Sequence, residues 1–155
     1  MAQFEYLPML SAASVLGANG APKHAGDAIQ KLTKAEPYEL GVPLYPAYLR
    51  GGLYLAACRG AAAAGEFEKI LSHPGVVLNN PIAALARLNL GRADALSGRT
   101  SEARAAYQDF FTLWKNADPD VPVLQRAKSG VRQVEVAVRL APKSPALRRA
   151  DNKLL

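Results

Sequence analysis

The sequence predicts an all-α solenoid of three helix–turn–helix pairs closed by a C-terminal capping helix. Two observations lead there. Ala and Leu dominate a chain that is half apolar, and β-branched runs are scarce before the last third, a composition that favours helix. Small and aromatic residues also recur at fixed offsets. The stretch from Ala84 to Lys115 reads as two helices joined at Gly98-Arg99-Thr100-Ser101. Leu85, Leu88 and Leu96 supply apolar contacts on the first, and Ala103, Tyr107, Phe110, Phe111 and Trp114 mark the buried side of the second. Gly91 and Ala103 let the two helices approach closely, with Tyr107 filling the space beside them. Ser101 is the expected N-cap of the second helix. Gly51, Tyr54, Ala63, Phe67 and Ile70 stand at the same offsets as Gly91, Asp94, Ala103, Tyr107 and Phe110, each 40 residues earlier (91−51, 103−63, 107−67). Ala28, Leu32 and Ala35 in turn precede Ala63, Phe67 and Ile70 by 35 (63−28, 67−32, 70−35).

In chain order, the first pair is expected at about 4–35, offset near Pro8 and turning at residues 17–22. Glu36-Pro37 ends it, because the residue before proline avoids the α region. A proline- and aromatic-rich loop from Tyr38 to Pro46 leads to the second pair, about 46–71, whose first helix reaches Arg59. The linker from Ser72 to Pro81 explains the long repeat period. The third pair spans about 82–116, and Asp118-Pro119-Asp120-Val121-Pro122 breaks the chain after it. The capping helix spans about 123–140, with Leu124, Ala127, Val131, Val134, Val138 and Ala141 as its inward stripe and Arg126, Lys128, Arg132 and Arg139 off it. Residues 142–155 are a basic, flexible tail beyond the domain at 1–141. Stacked pairs bury a continuous apolar core that no single pair could bury alone.

The composition excludes several classes. Cys58 is the only cysteine, so no internal disulfide forms, and its place on an alanine-rich helix predicts a buried thiol. The apolar stretch Leu7–Ala21 lacks a basic flank, and Glu5 precedes it, so a cytoplasmic protein is expected rather than an exported one. No apolar run reaches the ~18 residues of a membrane span. The net charge of +6 lies wholly after Asp120: residues 121–155 carry 8 basic and 2 acidic side chains, which leaves 19−8 = 11 and 13−2 = 11 before them. Catalytic signatures are missing. Pro22 and His24 flank Lys23 where a phosphate-cradling loop needs Gly and Ser or Thr, and His24 and His73 are too isolated for a metal site. No enzyme activity, cofactor or metal is expected.

The pattern Gly91, Ala103, Tyr107 resembles the tetratricopeptide repeat, a helix–turn–helix unit of about 34 residues. Counted from Ala84, these are positions 8, 20 and 24 of that unit, whereas Arg87 and Asp94 depart from its usual Trp and Tyr. The resemblance implies a right-handed solenoid in which Gly51, Tyr54, Ala63, Phe67, Gly91, Ala103, Tyr107 and Phe110 are packing residues. It also implies a concave groove lined by Tyr45, Tyr48, Leu85, Leu88 and Arg92, which would hold a protein or peptide segment. Residues 35–41, 45–51, 66–71 and 105–115 look like the tetratricopeptide region of acidobacterial serine/threonine kinases and winged-helix regulators. Kinase and winged-helix motifs are absent, and three residues precede Phe4. The expectation is therefore a non-catalytic scaffold or adaptor, standing alone or split from such a regulator. The alternative is nucleic-acid or anionic-surface binding through the basic last helix and tail.

Overall fold

A computed structural model of the protein describes residues 2–17, 22–33, 44–78 and 80–140. These form eight helices, and no strand occurs among the described residues. The helices are α1 (Ala2–Gly17), α2 (Pro22–Leu32), α3 (Tyr45–Ala56), α4 (Gly60–Leu71), α5 (Pro74–Val77), α6 (Ile82–Leu96), α7 (Thr100–Leu113) and α8 (Pro122–Leu140). Ala35, most of the loop after Pro37, Ala141 and the basic tail lie outside the described residues. Helices α1 and α2 form the first pair, α3 and α4 the second, and α6 and α7 the third. Successive pairs touch through α2 and α3, then through α4 and α6, and α8 lies against α7 and α6.

Proline placement shapes the ends. Pro46 and Pro74 each sit in the first turn of a helix, where the missing N–H has no intrahelical partner to lose. Pro8, however, lies inside α1, which continues through it instead of being offset there. The linker expected after Ser72 contains the one-turn helix α5, whose Val77 turns inward, 2% exposed, into the core with Ile70 and Ile82.

The 40-residue register is visible atom by atom at the two tight turns. The Ala57 amide donates to the Leu53 carbonyl at 3.0 Å, and Ser97 to Ala93 at 3.0 Å. The Arg59 amide donates to the Tyr54 carbonyl at 2.8 Å, and Arg99 to Asp94 at 2.9 Å. Between these bonds the backbone turns left-handed, at Cys58 with φ 56° and at Gly98 with φ 76°. Side chains close the turns in parallel. The Arg59 guanidinium lies 4.9 Å from the Tyr54 ring centroid, and Arg99 Nη2 donates to Asp94 Oδ1 at 2.6 Å.

This geometry corrects two expectations. Cys58 is an exposed thiol in a turn, not a buried one on a helix, and α3 ends at Ala56 because the turn begins there. Ser101 is not the N-cap. Arg99 holds that place without a side-chain bond, and the Ser101 hydroxyl donates to Glu102 Oε2 at 2.8 Å. A left-handed conformation is costly for a residue with a Cβ. Cys58→Gly, which copies Gly98, should therefore raise stability by about 0.5–1 kcal/mol in denaturant titration.

Between the paired helices the small-against-large packing also repeats. A Cβ on Gly51 would stand 2.6 Å from Phe67 Cζ, and one on Gly91 would stand 3.2 Å from the Tyr107 ring and from the Ala103 carbonyl. Ala63, Phe67, Ala103 and Phe110 are fully buried, and Tyr107 is 2% exposed. Tyr54 is half-buried beneath Arg59. In the third core cluster Leu124, Ala127 and Val134 of α8 join Leu88, Ala103, Tyr107 and Phe110, while Val131 is partly buried against them. Helix α8 thus covers the end of the third pair. Leu96, expected to pack, is instead exposed at the end of α6.

Candidate interaction surface

Helices α3, α6 and α8 place a connected set of polar side chains along one side of the molecule. Tyr48, one turn into α3, accepts a hydrogen bond through its hydroxyl from Asn89 Nδ2 at 3.3 Å. Asn89 Oδ1 in turn accepts from Arg92 Nη1 at 3.0 Å. Asn89 and Arg92 are i and i+3 on α6, so they share a face. The Tyr48 ring meets Phe67 edge-on at a centroid distance of 6.1 Å, which fixes the phenol between core and surface. Burial pushes the Tyr48 hydroxyl above its ordinary pKa, and the Asn89 bond and the Arg92 charge partly offset that rise. The hydroxyl is therefore protonated at neutral pH and can donate.

Past Arg92 the surface deepens into a cleft of about 530 Å³ between α6, the start of α7 and α8. Arg92 of α6 and Tyr107 of α7 line it together with Arg126, Ser129, Gly130 and Gln133 of α8. Gly130 is required there: a Cβ would stand 2.9 Å from Tyr107 Cζ. The Tyr107 ring is buried, and its hydroxyl, which is not a buried atom, makes no hydrogen bond among the described residues. Burial raises its pKa, again offset by the Arg92 charge.

Of the groove residues expected from the sequence, Tyr48 and Arg92 are half-buried and linked through Asn89, and Tyr45 is half-buried against the cores of the first two pairs. Leu85 is half-buried. Leu88 is 1% exposed within the third core cluster, so it backs the wall without facing an occupant. Asn89, Arg126 and Gly130 are additions. Gly130 had a signal in the sequence, a helix-interior glycine 39 residues after Gly91 (130−91).

Other polar clusters are already satisfied. Arg50, 8% exposed, donates through Nη1 to the Leu32 carbonyl and through Nη2 to Glu66 Oε2, both at 3.0 Å. Lys69 Nζ completes Glu66 at Oε1, also at 3.0 Å. This network ties the C-terminus of α2 to α3 and α4. A second cleft, about 520 Å³ between α4, α5, α6 and the end of α7, is walled mainly by apolar side chains including Leu71, Val77 and Trp114. Among the described residues no three His, Cys, Asp or Glu side chains converge as a metal site would require, and no helix is long and apolar enough to cross a membrane. His24 is exposed on α2, and His73 Nδ1 lies 2.7 Å from the Lys69 carbonyl oxygen.

No family model matches the chain, and no curated protein or solved structure matches it either.

Proposed function

We propose that the protein is a non-catalytic interaction module: a right-handed, tetratricopeptide-like solenoid of three helix pairs and a capping helix that holds a peptide segment along α3, α6 and α8. The observation that carries this is the continuous line Tyr48–Asn89–Arg92 running into the cleft beside Arg126. It joins different repeat units, as a surface for an extended ligand must. The 40-residue recurrence of turns and glycine–aromatic contacts supports the repeat architecture. The resemblance to repeat regions of bacterial serine/threonine kinases and transcriptional regulators supports a cytoplasmic signalling scaffold.

Partner capture tests this. Wild-type protein, a Tyr48→Ala, Arg92→Gln double variant and an Arg104→Gln variant on the exposed side of α7 would be compared as baits. A protein retained by wild type and by Arg104→Gln, but lost from the double variant, is the expected result. Equal capture by all three would remove the groove from the account.

The exposed Arg126, Lys128, Arg132 and Arg139 of α8 favour a second possibility, binding to nucleic acid or an anionic surface. That mode requires duplex or vesicle binding that falls steeply with salt and disappears when all four residues become Gln. The cleft gives Arg126 another use.

A further inference from the structure

The groove described above has one end with a distinct chemistry. The cleft between α6, α7 and α8 is lined by Arg92 and Arg126 and by no carboxylate, with Ala95, Leu96, Val134 and Ala137 making the rest of it mostly apolar. Ser129 and Gln133 add neutral polar groups. At its floor the Tyr107 hydroxyl is held by a ring that is almost wholly buried, and it has no protein partner among the described residues. The ring is buried but the oxygen is not stranded in the core; it opens onto the cleft, where it can donate to an occupant. The side chain is held in this position, because its ring fills the space left by Gly91 and Gly130.

Arg92 is also aimed. Its Nη1 is bound to Asn89, which is anchored to Tyr48, so the guanidinium is positioned before any ligand arrives. Arg126 Nε reaches its own helix at the Pro122 carbonyl, 3.4 Å away, and the rest of its guanidinium is free to turn to the cleft. Two cations and a fixed O–H donor, with no acid to neutralise them, complement a group that accepts hydrogen bonds and carries negative charge.

We propose that this cleft is a specificity pocket for an acidic side chain, aspartate or glutamate, of the bound peptide. It rests on the interaction-module function above and deepens it. The carboxylate accepts from Tyr107 Oη–H at the floor and from Arg92 and Arg126 at the walls. The peptide backbone then continues past Asn89 and Tyr48 toward Tyr45. The capping helix is thereby part of the recognition surface, since it supplies Arg126 and the glycine that leaves room for the Tyr107 hydroxyl.

The test uses the full chain and terminally blocked peptides of alternating alanine and glutamate, with glutamine and phosphoserine counterparts, read by fluorescence anisotropy. The glutamate peptide should bind at least tenfold more tightly than the glutamine peptide, and its affinity should fall with salt. Tyr107→Phe removes only a hydroxyl that bonds nothing among the described residues, so folding is preserved. It should weaken the glutamate peptide roughly tenfold and the glutamine peptide by clearly less, since a bond to a charged acceptor is the stronger one. Arg126→Gln should act in the same direction. Equal affinity for glutamate and glutamine peptides, no binding of the glutamate peptide at millimolar concentration, or an unchanged Tyr107→Phe variant would each overturn the proposal. So would a phosphoserine peptide that binds far more tightly than glutamate. Should glutamate and glutamine peptides bind equally and both be lost with Tyr48→Ala, the acid preference falls while the interaction module stands.

Discussion

Phe67→Ala should lower the stability of the protein by about 3–5 kcal/mol, enough to unfold a domain of ordinary stability. The ring is fully buried and fills the gap that Gly51 opens between α3 and α4, so its loss leaves a void with glycine on one side. Neither helix can close that void cheaply, because α4 is also packed against α6. The converse substitution overfills the same space. Gly51→Ala puts a methyl group 2.6 Å from Phe67 Cζ, a conflict worth about 1–3 kcal/mol that exceeds the gain in helix propensity. Combining Gly51→Ala with Phe67→Leu should cost less than the sum of the two single changes, because the smaller side chain makes room for the new methyl. Urea titrations of the four proteins check this, and strict additivity would mean that the two residues do not meet.

Arg50→Ala should cost about 3–5 kcal/mol by another route. The substitution strips the donor from the Leu32 carbonyl at the end of α2 and leaves the Glu66 carboxylate, 8% exposed, with Lys69 as its remaining cation. The expense lies in the stranded charge more than in the lost pair, so removing both charges is milder than removing one. The double variant Arg50→Met, Glu66→Leu should recover most of the loss, since well-packed apolar replacements of a buried pair are often near neutral. A double variant as unstable as Arg50→Ala would show that the Leu32 carbonyl, and not the carboxylate, carries the cost.

The parts of this molecule that were legible in the sequence are those written as local spacing. Gly51 with Phe67 and Gly91 with Tyr107 are small–large pairs at one offset, repeated after 40 residues, and both pairs meet in the structure. The apolar stripe of α8 likewise predicted which residues would be buried, although the stripe fades after Val134 and Leu140 is exposed. The same register placed Cys58 opposite Gly98, yet cysteine rarely takes a left-handed turn, so composition argued for a helix there. The one-turn helix α5 was hidden by flanking prolines. The Arg50–Glu66 bond spans two helices and depends on their relative rotation, which helical periodicity leaves open. Arg126 was hidden for the same reason. A cation beside an apolar stripe looks solvated until the neighbouring helix is placed, and α6 then sets Arg92 in the same cleft. The contact of Gly130 with Tyr107 was concealed because Gly130 belongs to a lone helix, with no partner in a repeat pair to align.

The most direct test of the account is the hydrogen-exchange footprint of a peptide partner on the intact protein. Protection confined to α3, α6 and the first half of α8, strongest around Tyr48, Asn89, Arg92 and Gly130, is the predicted result. Protection on the outward faces of α4 and α7, with the cleft exchanging as in the free protein, would contradict it.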